Sequence, residues 1–243
     1  MTHVTRLAAM SKKLSIPKVP TVPGVPGVSR RQQYSASTKK SLVKAAEALF
    51  TVGGYAATSL DAIVADAKVT KGALYHHYSG KQALFEAVFA DVEERAARQI
   101  EKAVKGVQDP WEKSLEGLRA FLEVLREPTY RRVVVLEGPA VLGYERFREQ
   151  EERSTFAIVV NIVRDVLSAG TWELDDEMLE TFSRIFFGAL SSAGEAVSDS
   201  QDPGAASARV ETAMGFLIAG IRNLVEAGVE LPQPEGAQDR PAS

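Results

Sequence analysis

Residues 58–84 read Thr-Ser-Leu-Asp-Ala-Ile-Val-Ala-Asp-Ala-Lys-Val-Thr-Lys-Gly-Ala-Leu-Tyr-His-His-Tyr-Ser-Gly-Lys-Gln-Ala-Leu, and this stretch admits little besides two short helices joined by a tight turn. Leu60, Ile63 and Val64 are spaced 3 and 4 apart, as one buried helical face requires. Thr58 and Ser59 offer side-chain oxygens to the leading N–H groups of that first helix, which have no partners inside it. After a turn at Ala67-Lys68-Val69, Thr70 caps a second helix of about two turns. Leu74 and Tyr78 face inward from it, leaving Lys71, Ala73, Tyr75, His76 and His77 outside. That outer face is too rich in hydrogen-bonding groups for ordinary core. A helix-turn-helix lays its second helix in the DNA major groove with the N-terminal residues at base edges. The second helix here suits that use.

Thr-Lys-Gly-Ala-Leu-Tyr-His-His-Tyr, followed by Gly-Lys-Gln-Ala-Leu, resembles the DNA-binding domain of the TetR family of tetracycline-repressor-like bacterial regulators. The likeness runs through residues 38–89, by way of Ala-Ala-Glu-Ala-Leu-Phe at 45–50 and Gly-Gly-Tyr-Ala-Ala-Thr at 53–58. One departure stands at Lys68, where the family usually has a turn glycine. A lysine held at positive φ loses about 1 kcal/mol relative to glycine, which is tolerable. Carried over residue by residue, the resemblance implies that Lys71, Gly72, Ala73, Tyr75 and His76 face the major groove. Lysine donates to guanine O6 or N7, and an alanine methyl meets a thymine methyl. Thr58, Thr70, His77 and Lys81 are implied as phosphate contacts, with Lys81 as a backbone clamp.

The formal net charge of −3 at first argues against a nucleic-acid partner. Its distribution reverses that reading. Residues 1–81 hold 12 Lys+Arg against 3 acids, a net of +9, and residues 82–243 hold 17 against 29, a net of −12. A cationic segment joined to an acidic one is the polarity a DNA-binding head needs, because phosphate neutralisation supplies much of non-specific affinity. The chain has no cysteine and three histidines, His3, His76 and His77, so a disulfide framework, a thiolate site and a zinc or iron centre are not expected. No cofactor is expected either. No apolar run approaches the ~20 residues that span a bilayer, and no apolar core precedes the N-terminal prolines as a signal peptide would require. A cytoplasmic protein without a membrane partner is the expectation.

Residues 1–37 read as a flexible basic tail in which Pro17, Pro20, Pro23 and Pro26 alternate with valine and glycine. It is either an arm that reaches DNA or a solubilising extension, and Met10 is an alternative start. Residues 38–81 form the helix-turn-helix head, 82–230 an effector-binding and dimerisation domain, and 231–243 a second flexible tail. From residue 38 the chain reads as all-α, with roughly nine helices and no strand-like alternation of useful length. A first helix with Leu42, Ala45, Ala46, Leu49 and Phe50 on one side is expected to end at Gly53-Gly54, and residues 141–167 read as one long helix.

In the TetR-like pattern the last two long helices, about 174–197 and 205–227, pair with their symmetry mates as a four-helix bundle. A dimer also follows from recognition itself, since one helix reads too few bases and a two-fold pair reads two half-sites. The resemblance further implies a small-molecule effector among the middle helices, whose binding releases a homodimeric repressor from a palindromic double-stranded DNA operator. Apolar and aromatic candidates for its site are Val88, Val92, Trp111, Leu118, Phe121, Leu122, Tyr144, Phe147 and Phe186; polar ones are Asp91, Glu137 and Arg148. Glu137 stands out because it ends the apolar run 133–136 just before Gly138-Pro139, where an unpartnered buried carboxylate would be costly. The expected effector is apolar or aromatic. No Ser/His/Asp set, Cys/His set or phosphate loop supports an enzyme. A ligand-independent or architectural DNA-binding protein, and an activator of the same fold, are the other readings.

Overall fold

Apolar residues at helical spacing, cut by caps, prolines and four positive-φ glycines, produce an all-helical chain in the computed structural model, which describes residues 30–170, 172 and 175–230. The elements are α1 (Arg30–Ala57), α2 (Leu60–Asp66), α3 (Lys71–His77), α4 (Lys81–Val104), α5 (Pro110–Arg126), α6 (Pro128–Tyr130), a π-helical segment (Arg131–Glu137), α7 (Gly138–Leu142), α8 (Tyr144–Arg153), α9 (Thr155–Leu167), α10 (Asp176–Ser198) and α11 (Pro203–Glu226). An N-terminal helix-turn-helix domain is followed by a larger helical domain. Residues 1–29 of the tail assigned to 1–37, and the whole tail assigned to 231–243, lie outside the described residues.

α4 is the spine. Its 24 residues span roughly 36 Å at 1.5 Å per residue. Leu84, Phe85, Val88 and Phe89 on its first half pack with Leu42, Phe50, Ile63 and Leu74 of the head. Val92, Ala96 and Ile100 on its second half join Leu118, Phe121, Leu122 and Ile158 in the same continuous core. α5 starts where Asp109 accepts the Glu112 N–H at 2.8 Å with Pro110 in the first turn, and it stops before Glu127-Pro128. Asp175 and Asp202 cap α10 and α11 in the same way, accepting from Met178 and Ala205.

Three expectations from the sequence are corrected. α1 begins at Arg30, inside the stretch assigned to the flexible tail. The last proline before it is Pro26, so nothing after that position forbids helix. The helical backbone does break at Gly54 (φ 77°, ψ 171°), as the glycine pair implied, but helix resumes beyond the break through Ala57. Finally, the helix expected over 141–167 is divided at Gly143 (φ 79°) and at Ser154 (φ −123°, ψ −96°). Glycine makes the first break cheap. At the second, the Ser154 and Thr155 hydroxyls turn to donate to the buried carboxylate of Glu93.

Candidate nucleic-acid interface and ligand cavity

Two caps and one reversed residue build the head. Ser59 accepts the Ala62 N–H and Thr70 accepts the Ala73 N–H, each at 3.1 Å. Between them, Lys68 sits at φ 56° and is the one non-glycine residue at positive φ among the described residues. Its N–H reaches the Ala65 carbonyl at 3.2 Å and the Val69 N–H reaches Val64 at 3.0 Å, the paired bonds that close a helix C-terminus through a left-handed residue. Lys68 therefore adopts the glycine conformation, and two hydrogen bonds offset its strain.

Leu74 and Tyr78 fix the inner side of α3, both buried. On its outer side Thr70, Lys71, Gly72, Tyr75 and His76 are exposed, while Ala73 and His77 are half-buried. The Lys71 ammonium lies 2.6 Å from Asp61 on α2, and this hydrogen bond holds it above the ordinary lysine range. Both partners face water, so the pair is weak and readily exchanged for a stronger acceptor.

Two of the phosphate contacts implied for the head meet a different geometry. Thr58 is buried, and its hydroxyl donates to the Gly54 carbonyl at 2.7 Å. Lys81 is half-buried; its Nζ donates to the carbonyls of Tyr55 at 2.8 Å and Thr58 at 3.0 Å, and lies 4.2 Å from the Tyr55 ring centre. Both side chains brace the bend between α1 and α2, because the kink at Gly54 leaves carbonyls there that need donors.

The helical domain encloses a cavity of about 90 Å³ between α5, α9, α10 and α11. Trp111, Leu118, Phe121 and Phe186 of the expected ligand residues line it, together with Ile158, Ile162 and Val163 of α9, and Met214, Ile218 and Ile221 of α11. The α9 stripe and the inner face of α11 were not assigned to a ligand by the sequence, although their spacing of 3 and 4 was visible. Ser114 and Thr155 bring the hydroxyls, and both are already donated, Ser114 to the Trp111 carbonyl at 2.7 Å and Thr155 to Glu93 at 3.2 Å. No charged residue lines the cavity.

The other expected ligand residues lie elsewhere. Val88, Val92 and Leu122 are buried in the core away from the cavity wall. Asp91 pairs with Arg95 at 3.5 Å on the surface. Tyr144 is exposed and bonded to Arg148 at 3.2 Å, and Arg148 also holds Glu152 at 3.0 Å. Phe147 packs against Phe89 and over Gly138. The break at Gly143 explains these last three, since it makes α8 a separate helix from α9, whose side chains line the cavity. Glu137 accepts the Tyr55 N–H at 2.8 Å and pairs with Arg132 at 3.2 Å, at the joint between head and helical domain.

Behind Thr155 lies an acidic cluster that sequence reading passed over. Glu93 is 2% exposed, and burial pushes its carboxyl up against the opposing hydrogen bonds of Ser154, Tyr130 and Thr155. Burial, followed by the nearby Glu93 charge, pushes Glu151 up to about 8. A carboxyl raised by folding stabilises the fold fully below its ordinary value of 4.5, and this contribution is lost as pH rises through about 8. Glu151→Gln is therefore expected to raise the melting temperature at pH 8–9 and to leave it nearly unchanged near pH 4.5. Melting curves across that range check this; a gain of equal size at both ends would contradict it.

Among the described residues, no group of three His, Cys, Asp or Glu gathers to hold a metal ion, and no helix is long and apolar enough to cross a membrane. Residues 42–88 match the family described as bacterial regulatory proteins, tetR family, and residues 111–221 match the tetracyclin repressor-like C-terminal domain. The chain is 44% identical over 61 residues to the Transposon Tn10 TetC protein of Escherichia coli, covering 25% of this chain and 31% of that protein. It is 26% identical over 151 residues to the uncharacterized HTH-type transcriptional regulator YhgD of Bacillus subtilis, covering 61% of this chain and 78% of that one. A solved TetR-family transcriptional regulator from Pectobacterium atrosepticum superposes with a TM-score of 0.67 at 25% identity, over 79% of this chain and 97% of the other.

Proposed function

We propose, for a chain that belongs to the TetR family of bacterial transcriptional regulators, that it is a homodimeric repressor released from a palindromic operator by a neutral apolar or aromatic effector. The observation that carries the DNA part is the outer row of α3. Lys71, Gly72, Ala73, Tyr75 and His76 face away from the core on a helix locked from behind by Leu74 and Tyr78. Thr70 at its cap and half-buried His77 are the neighbouring phosphate contacts. Residues 38–81 are the reading unit, which begins with the exposed basic residues Lys39, Lys40 and Lys44 of α1. Residues 82–230 sense and dimerise.

Dimerisation through α10 and α11 is supported by their outer face, where Ile185, Leu217 and Leu224 are exposed and Phe216 is 79% exposed. A row of large apolar side chains left in water marks an interaction site, and two-fold pairing of the same face is the simplest way to cover it. Neighbouring positions on the same two helices, Phe186, Leu190, Met214 and Ile221, line the cavity. One pair of helices thus feels both the effector and the partner.

The effector's chemistry follows from the cavity wall. With no charge and both hydroxyls committed, an ionised ligand would lose its hydration without compensation. The free volume of about 90 Å³ is also smaller than the few hundred Å³ of most ligand pockets. Effector entry therefore parts α5, α9, α10 and α11, and that displacement is how it favours the state with the wrong spacing between heads. By linkage, operator DNA weakens effector binding by the same factor. Toluene and phenol are expected to raise the melting temperature and lower operator affinity, whereas benzoate does neither. Preferential binding of benzoate would contradict the neutral-effector reading. Operator affinity insensitive to every cavity ligand that binds would favour a ligand-independent DNA-binding protein.

A further inference from the structure

α1 does not simply precede the helix-turn-helix; it is bent onto the helical domain at one residue. Gly54 takes φ 77° and ψ 171°, which removes the Tyr55 N–H from the helical ladder and turns it outward. Its partner is Oε2 of Glu137 at 2.8 Å, the last residue of the π-helical segment. A Cβ at Gly54 would collide with Glu137 Oε1 and Arg132 Nη2, so backbone and carboxylate meet here because position 54 has no side chain. The Arg132 guanidinium, one turn back on the same segment, pairs with Glu137 at 3.2 Å and orients it.

The carbonyl of the same residue is also held. Lys81 at the start of α4 donates to the Tyr55 carbonyl, so Tyr55 is gripped at its N–H by the helical domain and at its C=O by the spine. From Tyr55 to Leu60, the first residue of α2, is a stretch of six residues in which the Thr58 N–H and hydroxyl return to Tyr55 and Gly54 and the Thr58 carbonyl accepts from Lys81. Orientation of the head is therefore set at Tyr55 as well as by the core that Ile63 and Leu74 share with α4. A π-helix is a strained variant of the α-helix and occurs mainly as short insertions at functional sites. A carboxylate at its end shifts position with any change in its register.

We propose that Glu137 is a positioning residue for DNA recognition: by accepting the Tyr55 N–H it fixes the angle at which α2 and α3 leave the helical domain. It touches neither the effector cavity nor the DNA-facing row. Its effect reaches the bases through the backbone of Tyr55, and Arg132 supports it. In the dimer, two heads held at a fixed angle bind two half-sites together, whereas loosened heads must be ordered on binding. Non-specific contact, which needs no fixed spacing, depends on this much less.

The test compares Glu137→Ala, Glu137→Gln and Arg132→Ala in the full-length protein. Amide exchange at Tyr55 in the DNA-free protein tests the latch directly. Affinity for the selected operator against random DNA tests its consequence, and this second arm rests on the operator reading above. Exchange at Tyr55 about tenfold faster in Glu137→Ala is expected, as a hydrogen bond to a charged acceptor is removed. The operator-to-random ratio should fall about tenfold, with the melting transition kept. Glu137→Gln retains an acceptor oxygen and should recover much of both, and Arg132→Ala should lie between. Wild-type exchange at Tyr55 in Glu137→Ala would overturn the proposal, as would equal loss of affinity on operator and random DNA. Should Glu137→Ala fail to fold, faster Tyr55 exchange in Arg132→Ala supports the proposal and unchanged exchange overturns it. A wild-type protein that selects no operator would instead count against the regulatory reading, with the exchange result still deciding the latch.

Discussion

Truncating Lys71 and Tyr75 together to alanine is expected to weaken binding to the selected operator by about a hundredfold or more, with a much smaller loss on random DNA. Each good contact to a base edge is worth about 1–3 kcal/mol of discrimination, and a dimer presents each one twice. Phosphate contacts carry no sequence information and remain in the double variant. Neither side chain holds the fold: Tyr75 is 59% exposed, and Lys71 has only its surface pair with Asp61. Anisotropy titrations on both DNAs check the prediction, with circular dichroism to verify the helices. Equal losses on the two DNAs would remove α3 from base reading and leave it a general cationic surface.

Gly54→Ala is expected to destabilise the protein by about 1–3 kcal/mol from backbone strain alone, because φ 77° with ψ 171° is a conformation that only glycine adopts readily. For a chain of this size each kcal/mol lowers the melting temperature by about 2–4 °C. The new Cβ also takes the place of the Glu137 and Arg132 side-chain ends, so both must move aside. Gly54→Ala combined with Glu137→Ala should therefore cost less than the sum of the single changes, since residues that share a contact are not additive. A wild-type melting temperature for Gly54→Ala would show that α1 straightens without penalty, and the bend would then have no structural necessity.

The head was legible in the sequence because its signals are local. Ser59 and Thr70 mark the helix starts, Lys68 sits at the one position that needs a reversed backbone, and Leu74 is buried with its neighbours outward. What was not legible there has a non-local reason. Thr58 and Lys81 have the chemistry of phosphate ligands, but the carbonyls exposed by the Gly54 kink bind them first. That kink was invisible as such, since two adjacent glycines signal a helix end equally well.

The ligand cavity was harder to read, because apolar spacing says that a face is buried and not what it is buried against. α9 and the inner face of α11 carry much of the lining, while Val88, Val92 and Leu122 have the same character and fill solid core. Tyr144, Phe147 and Arg148 were assigned inward on a continuous helix that Gly143 and Ser154 divide. The second division depends on Glu93, which lies 61 residues away from Ser154 and draws its hydroxyl inward. Glu137 was correctly singled out as a carboxylate needing a partner. Its partner is a backbone N–H 82 residues earlier, exposed by a glycine.

Selection of bound DNA from a random pool by the purified full-length protein, followed by stoichiometry and salt titration on the enriched sequence, tests the central claim most directly. A palindromic consensus whose half-sites lie about one helical turn apart, bound by two chains with a steep salt dependence, is the predicted result. Tight low-salt binding that enriches no sequence would contradict it, and would make the basic head an architectural surface.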